Sequence, residues 1–328
     1  MEHTVVYATD ENYADLTAVS LCSLLKTNPG AHVTVLAAEV SERKRAHLAT
    51  LASRFGGTLR ILDARGALEK VRALGAGRYV SFSAYSRLFI PVLLGETAER
   101  AIYLDGDTLV TGSLAPLFAL PLEGKPFAIG YDCIYNAYKK LIGLAPEAPY
   151  FNSGVLLIDL AAWQRQRCTE RIFDYMANVR HDLMFGDQDY FALVLADDAA
   201  ILPPAYNFLT HFQLFRRQRD VLTAMGIPAR AWYGADDYAR AQAQPVIHHF
   251  LGHTLGRPWY RESLNPLRPL FKRLAAEAGV PDVAEQSRPV EFHYRLQRDL
   301  ARILPPALFA RLAHAMYAYF FRTRYGVK

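Results

Sequence analysis

The sequence predicts an α/β protein with a mostly parallel central sheet, followed by a basic helical C-terminal segment. Three observations lead there. Short apolar runs alternate with amphipathic stretches of helical length, the pattern of βαβ units. One run, Ala101-Ile102-Tyr103-Leu104, ends in Asp105-Gly106-Asp107, and open sheets of this class bind ligands at the carboxyl ends of their strands. From about Asn265, prolines at 266, 269, 281, 289, 305 and 306 cut the chain into basic helical pieces.

The elements follow in order. Val5-Val6-Tyr7-Ala8 reads as the first strand. Asp15 to Lys26 carries apolar residues at helical spacing and stops at the breaker Asn28-Pro29-Gly30. His32 to Ala37 is a second strand, Ser41 to Phe55 an amphipathic helix ending at Gly56-Gly57, and Leu59 to Leu62 a third strand. Helices are expected around Ala67–Leu74 and Ser86–Leu94, before the strand that enters Asp105. Phe127 to Gly130 and Ser153 to Ile158 read as strands, with one helix from Ala161 to Asn178. After Pro203-Pro204 the pattern is irregular until a strand at Pro245-Val246-Ile247. No internal repeat or low-complexity segment interrupts this order.

Composition narrows the class. At 328 residues and 52% hydrophobic, the chain supports a large core and an appendage. No apolar run reaches the roughly 18 residues that a membrane-spanning helix needs. Met1 to Tyr7 lacks a signal-peptide layout. Three widely spaced cysteines, Cys22, Cys133 and Cys168, suit buried thiols rather than a disulfide frame or a zinc site. A cytoplasmic location is therefore expected. The net charge of +5 is uneven, with +7 from Arg257 onward and −2 before it. Such asymmetry points to an anionic partner for the tail.

Two carboxylates one residue apart repel unless a cation lies between them, and oxygen ligands suit a hard divalent ion shared with a substrate phosphate. Three readings of the motif stay open locally. It suits the metal-diphosphate clamp of a nucleotide-sugar glycosyltransferase. Asp-Gly-Asp-Thr-Leu also resembles the nucleophile loop of a haloacid-dehalogenase-type phosphatase, and it is compatible with a solvated turn.

Further segments join it. They are Ala8-Thr9-Asp10-Glu11-Asn12-Tyr13, Tyr85-Ser86-Arg87-Leu88, Tyr150-Phe151-Asn152-Ser153-Gly154, Gly186-Asp187-Gln188-Asp189 and His249-Phe250-Leu251-Gly252 with Arg257-Pro258-Trp259. In this order the set resembles glycosyltransferase family 8, over about residues 3 to 260. The resemblance implies a GT-A-type fold, a catalytic unit over 1–264 and a C-terminal region over 265–328. It implies a retaining hexosyltransferase that uses a UDP-sugar, UDP-galactose or UDP-glucose. The implied acceptor is a sugar of lipopolysaccharide or a related cell-surface glycan. A catalytically silent nucleotide-sugar or glycan binder is the alternative.

Residue by residue, the resemblance places Ala8, Asp10 and Asn12 at the nucleotide and Arg87 between the Asp-x-Asp region and the donor sugar. Asp105, Gly106 and Asp107 hold the metal and the diphosphate. His249 is the third metal ligand, with His248 and His253 as competitors, and Mn2+ is favoured over Mg2+ because an imidazole joins the carboxylates. Asn152 and the Asp187-Gln188-Asp189 segment recognise the sugar, Gln188 lying on the face opposite the leaving group, and Gln188, Asp187 and Arg87 are the implied catalytic residues. Gly252 and Arg257 lie at the diphosphate. The usual family pattern is His-x-x-Gly-x-x-Lys-Pro-Trp, and here the loop is two residues longer with Arg257 in place of Lys. From Ala301 onward there is no acid, and Arg302, Arg311, Arg322 and Arg324 interleave with aromatic residues. That composition predicts attachment to the surface of an anionic membrane on its cytoplasmic face, and no nucleic acid.

Overall fold

The first strand becomes the hub of the sheet because both of its faces are apolar. Val5, Val6 and Tyr7 are all buried, as a strand covered on both sides requires. The computed structural model describes residues 2–73, 82–178, 183–252, 255–287 and 292–326. Among them β1 (Glu2–Asp10) pairs parallel with β2 (His32–Ala38) on one side and with β4 (Ala98–Leu104) on the other. With β3 (Thr58–Asp63), β6 (Phe127–Tyr131), β7 (Phe151–Asp159) and β8 (Ala199–Ile201) these strands form a seven-stranded sheet in the order β3-β2-β1-β4-β7-β6-β8. Only β7 runs against its neighbours, so the expected mostly parallel sheet is present. Being reversed, β7 starts at the edge where the other strands end. A smaller sheet joins β5 (Thr108–Val110), β10 (Ile247–His249) and β9 (Phe208–Leu209).

Helices cover both faces. On one face the helix Ala14–Thr27 buries Leu16, Val19, Leu21, Leu24 and Leu25 in a core shared with Glu42–Arg54 and Arg268–Glu277. Its end is held by Asn28, whose side chain donates to the Leu24 and Gly112 carbonyls and accepts from the Leu114 N–H. On the other face a second core gathers Phe127, Phe151, Trp163, Phe191 and their neighbours. A third, smaller core lies under residues 208–241.

Several elements differ from the sequence reading. The stretch expected as one helix over Ala161–Asn178 is two, Leu160–Arg165 and Cys168–Asn178, because Arg167 takes a left-handed φ of 53°. Ser86–Leu94 is a 3-10 turn from Phe82 to Phe89 continued by the short helix Ile90–Leu94, with Pro91 in its first turn. The segment read as irregular after Pro204 contains three helices, Thr210–Leu214, Gln218–Met225 and Ala235–Ala243. The strand expected at Pro245–Ile247 is Ile247–His249. Strands β5, β8 and β9 had no sequence signal, since two or three residues are too few to show a period.

The C-terminal helical part is present. Arg268–Glu277 buries Phe271, Leu274 and Ala275 against the helix Ala14–Thr27. Pro306–Tyr325 buries Phe309, Ala310, Ala313 and Phe321 and packs against Gln218–Met225. No helix among the described residues is long and apolar enough to cross a membrane. Cys22, Cys133 and Cys168 are free and buried.

Candidate active site

The carboxyl edge of the sheet collects the functional side chains because β4 ends there, β7 begins there and β10 is docked across it. The Asp105 N–H donates to the Gly154 carbonyl at 2.8 Å, locking the end of β4 to the start of β7. The register of β10 with β5 places His249 opposite Thr108, immediately after the Asp105–Asp107 turn. His249 Nε2 then lies 3.3 Å from Asp107 Oδ1 and 3.8 Å from Asp105 Oδ2. One ligand atom from each of the three residues falls within 4.8 Å of the others. His248 belongs to the opposite face of β10, where it meets the Phe208 ring edge-on, and His253 lies outside the described residues. Two carboxylates and one imidazole on one point fit a divalent cation such as Mn2+.

Close backbone approach makes this convergence possible. A Cβ on Gly154 would stand 2.1 Å from His249 Cε1 and 2.8 Å from Asp105 Oδ2. A Cβ on Gly106 would meet Thr17 Oγ1 at 2.6 Å, so the Asp-Gly-Asp turn sits directly on the helix Ala14–Thr27.

Arg87 organises the acidic side. Its Nη2 donates to Asp105 Oδ1 at 2.8 Å, and its Nη1 donates to the Ser153 carbonyl and, at 2.9 Å, to Ser153 Oγ. Its Nε lies 3.1 Å from Asp187 Oδ2, an ion pair without hydrogen-bond direction. The guanidinium also covers the Tyr103 ring at 4.5 Å, and the Tyr103 hydroxyl donates to Asp105. Burial alone would lower the Arg87 pKa, but Asp105 and Asp187 reverse this and hold it charged. Burial pushes the Asp187 carboxyl up to about 6, with Arg87 opposing the rise. Burial also works against ionisation of both Asp107 and His249, yet each favours the charge of the other. Asp107 ends below its ordinary value and His249 above it.

Asp187, Gln188 and Asp189 begin the helix Asp187–Val194 and are all buried. Gln188 Nε2 donates to Asp132 Oδ2 at 2.7 Å, and its Oε1 accepts from Asn152 Nδ2 at 3.1 Å. Asp189 is turned away into a structural cluster, accepting from the Tyr138 and Tyr150 hydroxyls and the Phe185 N–H.

Comparison with known proteins bears directly on this arrangement. Residues 4–263 match the model of "Glycosyl transferase family 8". The chain belongs to glycosyltransferase family 8. A lipopolysaccharide 1,2-glucosyltransferase of Escherichia coli K12 is 31% identical over 208 residues, covering 62% of this chain and 61% of that one. General stress protein A of Bacillus subtilis is 28% identical over 194 residues, 58% and 63% of the two chains. The chain thus spans about three fifths of the length of these relatives. Among solved structures, an active-site mutant of LgtC superposes with a TM-score of 0.69 at 24% identity, covering 90% of this chain and 99% of that one. The family 8 chain therefore has the GT-A fold. The phosphatase reading of Asp-Gly-Asp falls away, since Asp105 follows the fourth strand and not the first.

Of the residues singled out in the sequence, Arg87, Asp105, Asp107, Asn152, Asp187, Gln188 and His249 belong to one connected cluster. Arg257 joins it through charge. It lowers the Asp107 pKa, reaches the Tyr13 hydroxyl and lies 5.3 Å from the Trp259 ring. Its Nε is buried without a partner among the described residues. Asp10 occupies the turn after β1, where Oδ1 accepts from the N–H groups of Asn12 and Tyr13 at 3.0 and 3.1 Å, a local role in starting the next helix. Asn12 is exposed there, Ala8 is half-buried in β1, and Gly252 takes a left-handed φ of 72° beside His211. Sequence reasoning missed Asp132 and Asn207 in the family 8 site. Asp132 had a usable signal, because it follows the apolar run Phe127–Gly130 much as Asp105 follows its own strand. Asn207 had none.

Proposed function

We propose that this chain is a retaining glycosyltransferase that moves a hexose, galactose or glucose, from its UDP-sugar to a sugar of lipopolysaccharide or a related cell-surface glycan. The observation that carries the reading is the convergence of Asp105, Asp107 and His249 at the carboxyl edge of a GT-A sheet. These three residues would hold the divalent cation, Mn2+ in preference to Mg2+, which when bound supplies neutralisation of the leaving diphosphate. Arg257, whose Nε–H has no partner among the described residues and whose charge acts on Asp107, suits the diphosphate itself, which it can grip bidentately. Ala8, Asp10, Asn12 and Gly252 border the nucleotide on this reading, and Gly106 lets the Asp105–Asp107 turn sit close to the helix that follows β1.

Asp187, Asn152 and Gln188 offer a carboxylate and two amides, groups that bond several sugar hydroxyls at once. Arg87 keeps Asp105 and Asp187 oriented as the sugar arrives. Gln188 is a weak nucleophile, and its carbonyl already accepts from Asn152, so it orients the sugar instead of attacking it. Retention then follows from front-face transfer, in which the acceptor hydroxyl gives its proton to the departing phosphate while its oxygen bonds the anomeric carbon.

The lipopolysaccharide acceptor is supported by relatives named lipopolysaccharide glucosyltransferases, one of them 25% identical over 278 residues. A position on an anionic cytoplasmic membrane surface is supported by the tail. There Ile303, Leu308, Tyr319 and Phe320 are exposed together with Arg302, Arg311, Arg322 and Arg324.

The test is UDP release from a panel of UDP-sugars with Mn2+ or EDTA, on wild type and Asp107→Ala. Mn2+-dependent turnover of one UDP-hexose, reduced at least about a hundredfold in the variant, is the expected result. Tight UDP binding with no turnover of any donor, even with glycan acceptors present, overturns the enzyme reading in favour of a silent binder.

A further inference from the structure

A run of side-chain amides extends from the candidate metal ligand to the sugar side of the site. It begins at the ring of His249. His249 Nδ1 faces Asn207 Oδ1 at 3.1 Å. Asn207 Nδ2 donates to Asn152 Oδ1 at 2.9 Å, Asn152 Nδ2 to Gln188 Oε1 at 3.1 Å, and Gln188 Nε2 to Asp132 Oδ2 at 2.7 Å. Every donor points the same way, from His249 towards the Asp132 carboxylate. The direction is pinned along the chain. Asn152 Oδ1 also accepts from the Gly154 N–H at 3.2 Å, so it is the Asn207 amino group that must face it. The Asn207 carbonyl is thereby left for the imidazole, which must carry its proton on Nδ1. Asn207 and His249 are both buried, and aligned hydrogen bonds of this kind polarise one another in such surroundings.

The fold holds Asn207 at this point by two devices. It directly precedes β9, whose pairing with β10 sets Leu209 beside His249. It also fits against Gly130, at the bulge in β6, where a Cβ would crowd the Asn207 Cβ at 3.3 Å.

We propose that Asn207 is a positioning residue, which fixes the His249 ring with Nε2 towards Asp105 and Asp107 and couples that orientation to Asn152 and Gln188. The proposal rests on the reading of Asp105, Asp107 and His249 as a cation site. A ring nitrogen whose partner nitrogen donates to a fixed carbonyl is a better-oriented and more basic metal ligand. Asn207 touches neither the sugar nor the cation and acts only through its neighbours.

The experiment is a titration with Mn2+ alone, up to millimolar, read by the electron paramagnetic resonance of the free ion. It compares wild type, Asp107→Ala, Asn207→Ala and Asn207→Asp. Asn207→Ala is expected to weaken Mn2+ binding by about 10–100-fold. Asn207→Asp, which still accepts from Nδ1 but has no N–H for Asn152, should restore affinity to within about threefold of wild type while kcat stays low. Wild-type binding that Asp107→Ala abolishes and Asn207→Ala leaves intact overturns the proposal alone. Equal weakening by both Asn207 variants overturns it too. No binding by wild type, or binding unchanged in Asp107→Ala, overturns the cation reading and the proposal with it. The nitrogen-15 spectrum of His249 in the Mg2+-loaded wild type decides independently of any variant. A proton on Nδ1 supports the proposal, and a bare Nδ1 overturns it.

Discussion

Gly154 marks the tightest point of the site, where backbone and not side chain makes room for the His249 ring. Gly154→Ala would drive a Cβ to 2.1 Å from His249 Cε1 and 2.8 Å from Asp105 Oδ2, so the ring or the strand must shift. The expected cost is about 1–3 kcal/mol of stability, with loss of Mn2+-dependent UDP release, measured by thermal melting and turnover on the same preparation. Asp187 gives a prediction with a sign. Its folded pKa is raised from 3.8 to about 6, so the folded state binds this proton more tightly than the unfolded chain does. The associated stability is complete below the unfolded value and is lost as pH rises through the folded one. In the metal-free protein Asp187→Asn should therefore gain on wild type by about 1–3 kcal/mol between pH 4 and pH 7.5. A gap between the two melting curves that stays constant over that range would refute the assignment. At this scale the Asp105–Asp107 pair was legible from its place at a strand end, whereas His249 came from the family resemblance with His248 and His253 still in competition. Asn207 was not legible, because its importance lies in a contact with a residue 42 positions away.

The helix Ala14–Thr27 illustrates how an element can serve the site without contributing a ligand. Its first turn supports the Asp-Gly-Asp turn through Thr17, whose hydroxyl also donates to Thr9 Oγ1 and to the Tyr13 carbonyl. Gly106→Ala should cost about 1–3 kcal/mol through overlap with Thr17 Oγ1. Adding Thr17→Ala should recover part of that loss, because the next nearest Thr17 atoms are at 3.6 Å. Denaturant unfolding of the two single variants and the double variant measures the coupling, and strict additivity would refute the clash. Long periodic elements such as this helix were read correctly, since a buried face imposes its spacing on the sequence. The break at Arg167 was invisible, because a left-handed φ is unusual for any residue but glycine and leaves no compositional trace there. The helices between 210 and 243 were missed because they are short and packed on one another around Phe212, Trp232 and Tyr238. Tertiary contacts stabilise such helices more than their own sequence does.

Across the whole molecule the tail is both part of the body and an exposed surface. Phe309 stacks on Phe215, and Tyr317 and Phe321 contact the Tyr135 ring, on the loop that follows Asp132. Phe309→Ala should destabilise the protein by about 3–5 kcal/mol, the ordinary cost of emptying a buried aromatic site. Tyr319 and Phe320 project outward instead, 64% and 47% exposed. Replacing both by Ser should leave the melting temperature nearly unchanged but weaken binding to vesicles rich in anionic lipid. Wild-type binding should fall as salt is raised, since the exposed arginines contribute through screened charge. Sedimentation with such vesicles reads both effects, and salt-independent binding unaffected by the double substitution would sink the membrane reading.

The amino-acid sequence by itself determined the alternation of strands and helices, the family, the carboxylates at a strand end and the acid-free tail. Each is a local pattern, set by side-chain periodicity or by residues only a few positions apart. The tertiary structure decided which histidine faces the carboxylates, that β7 runs backwards so that Asn152 reaches the same edge, and how far the tail is buried. It also linked His249 to Asn152 through Asn207 and drew in Asp132. These outcomes depend on strand order and on contacts between distant segments, and no local pattern records which strands pair or which side chains a packed core brings together.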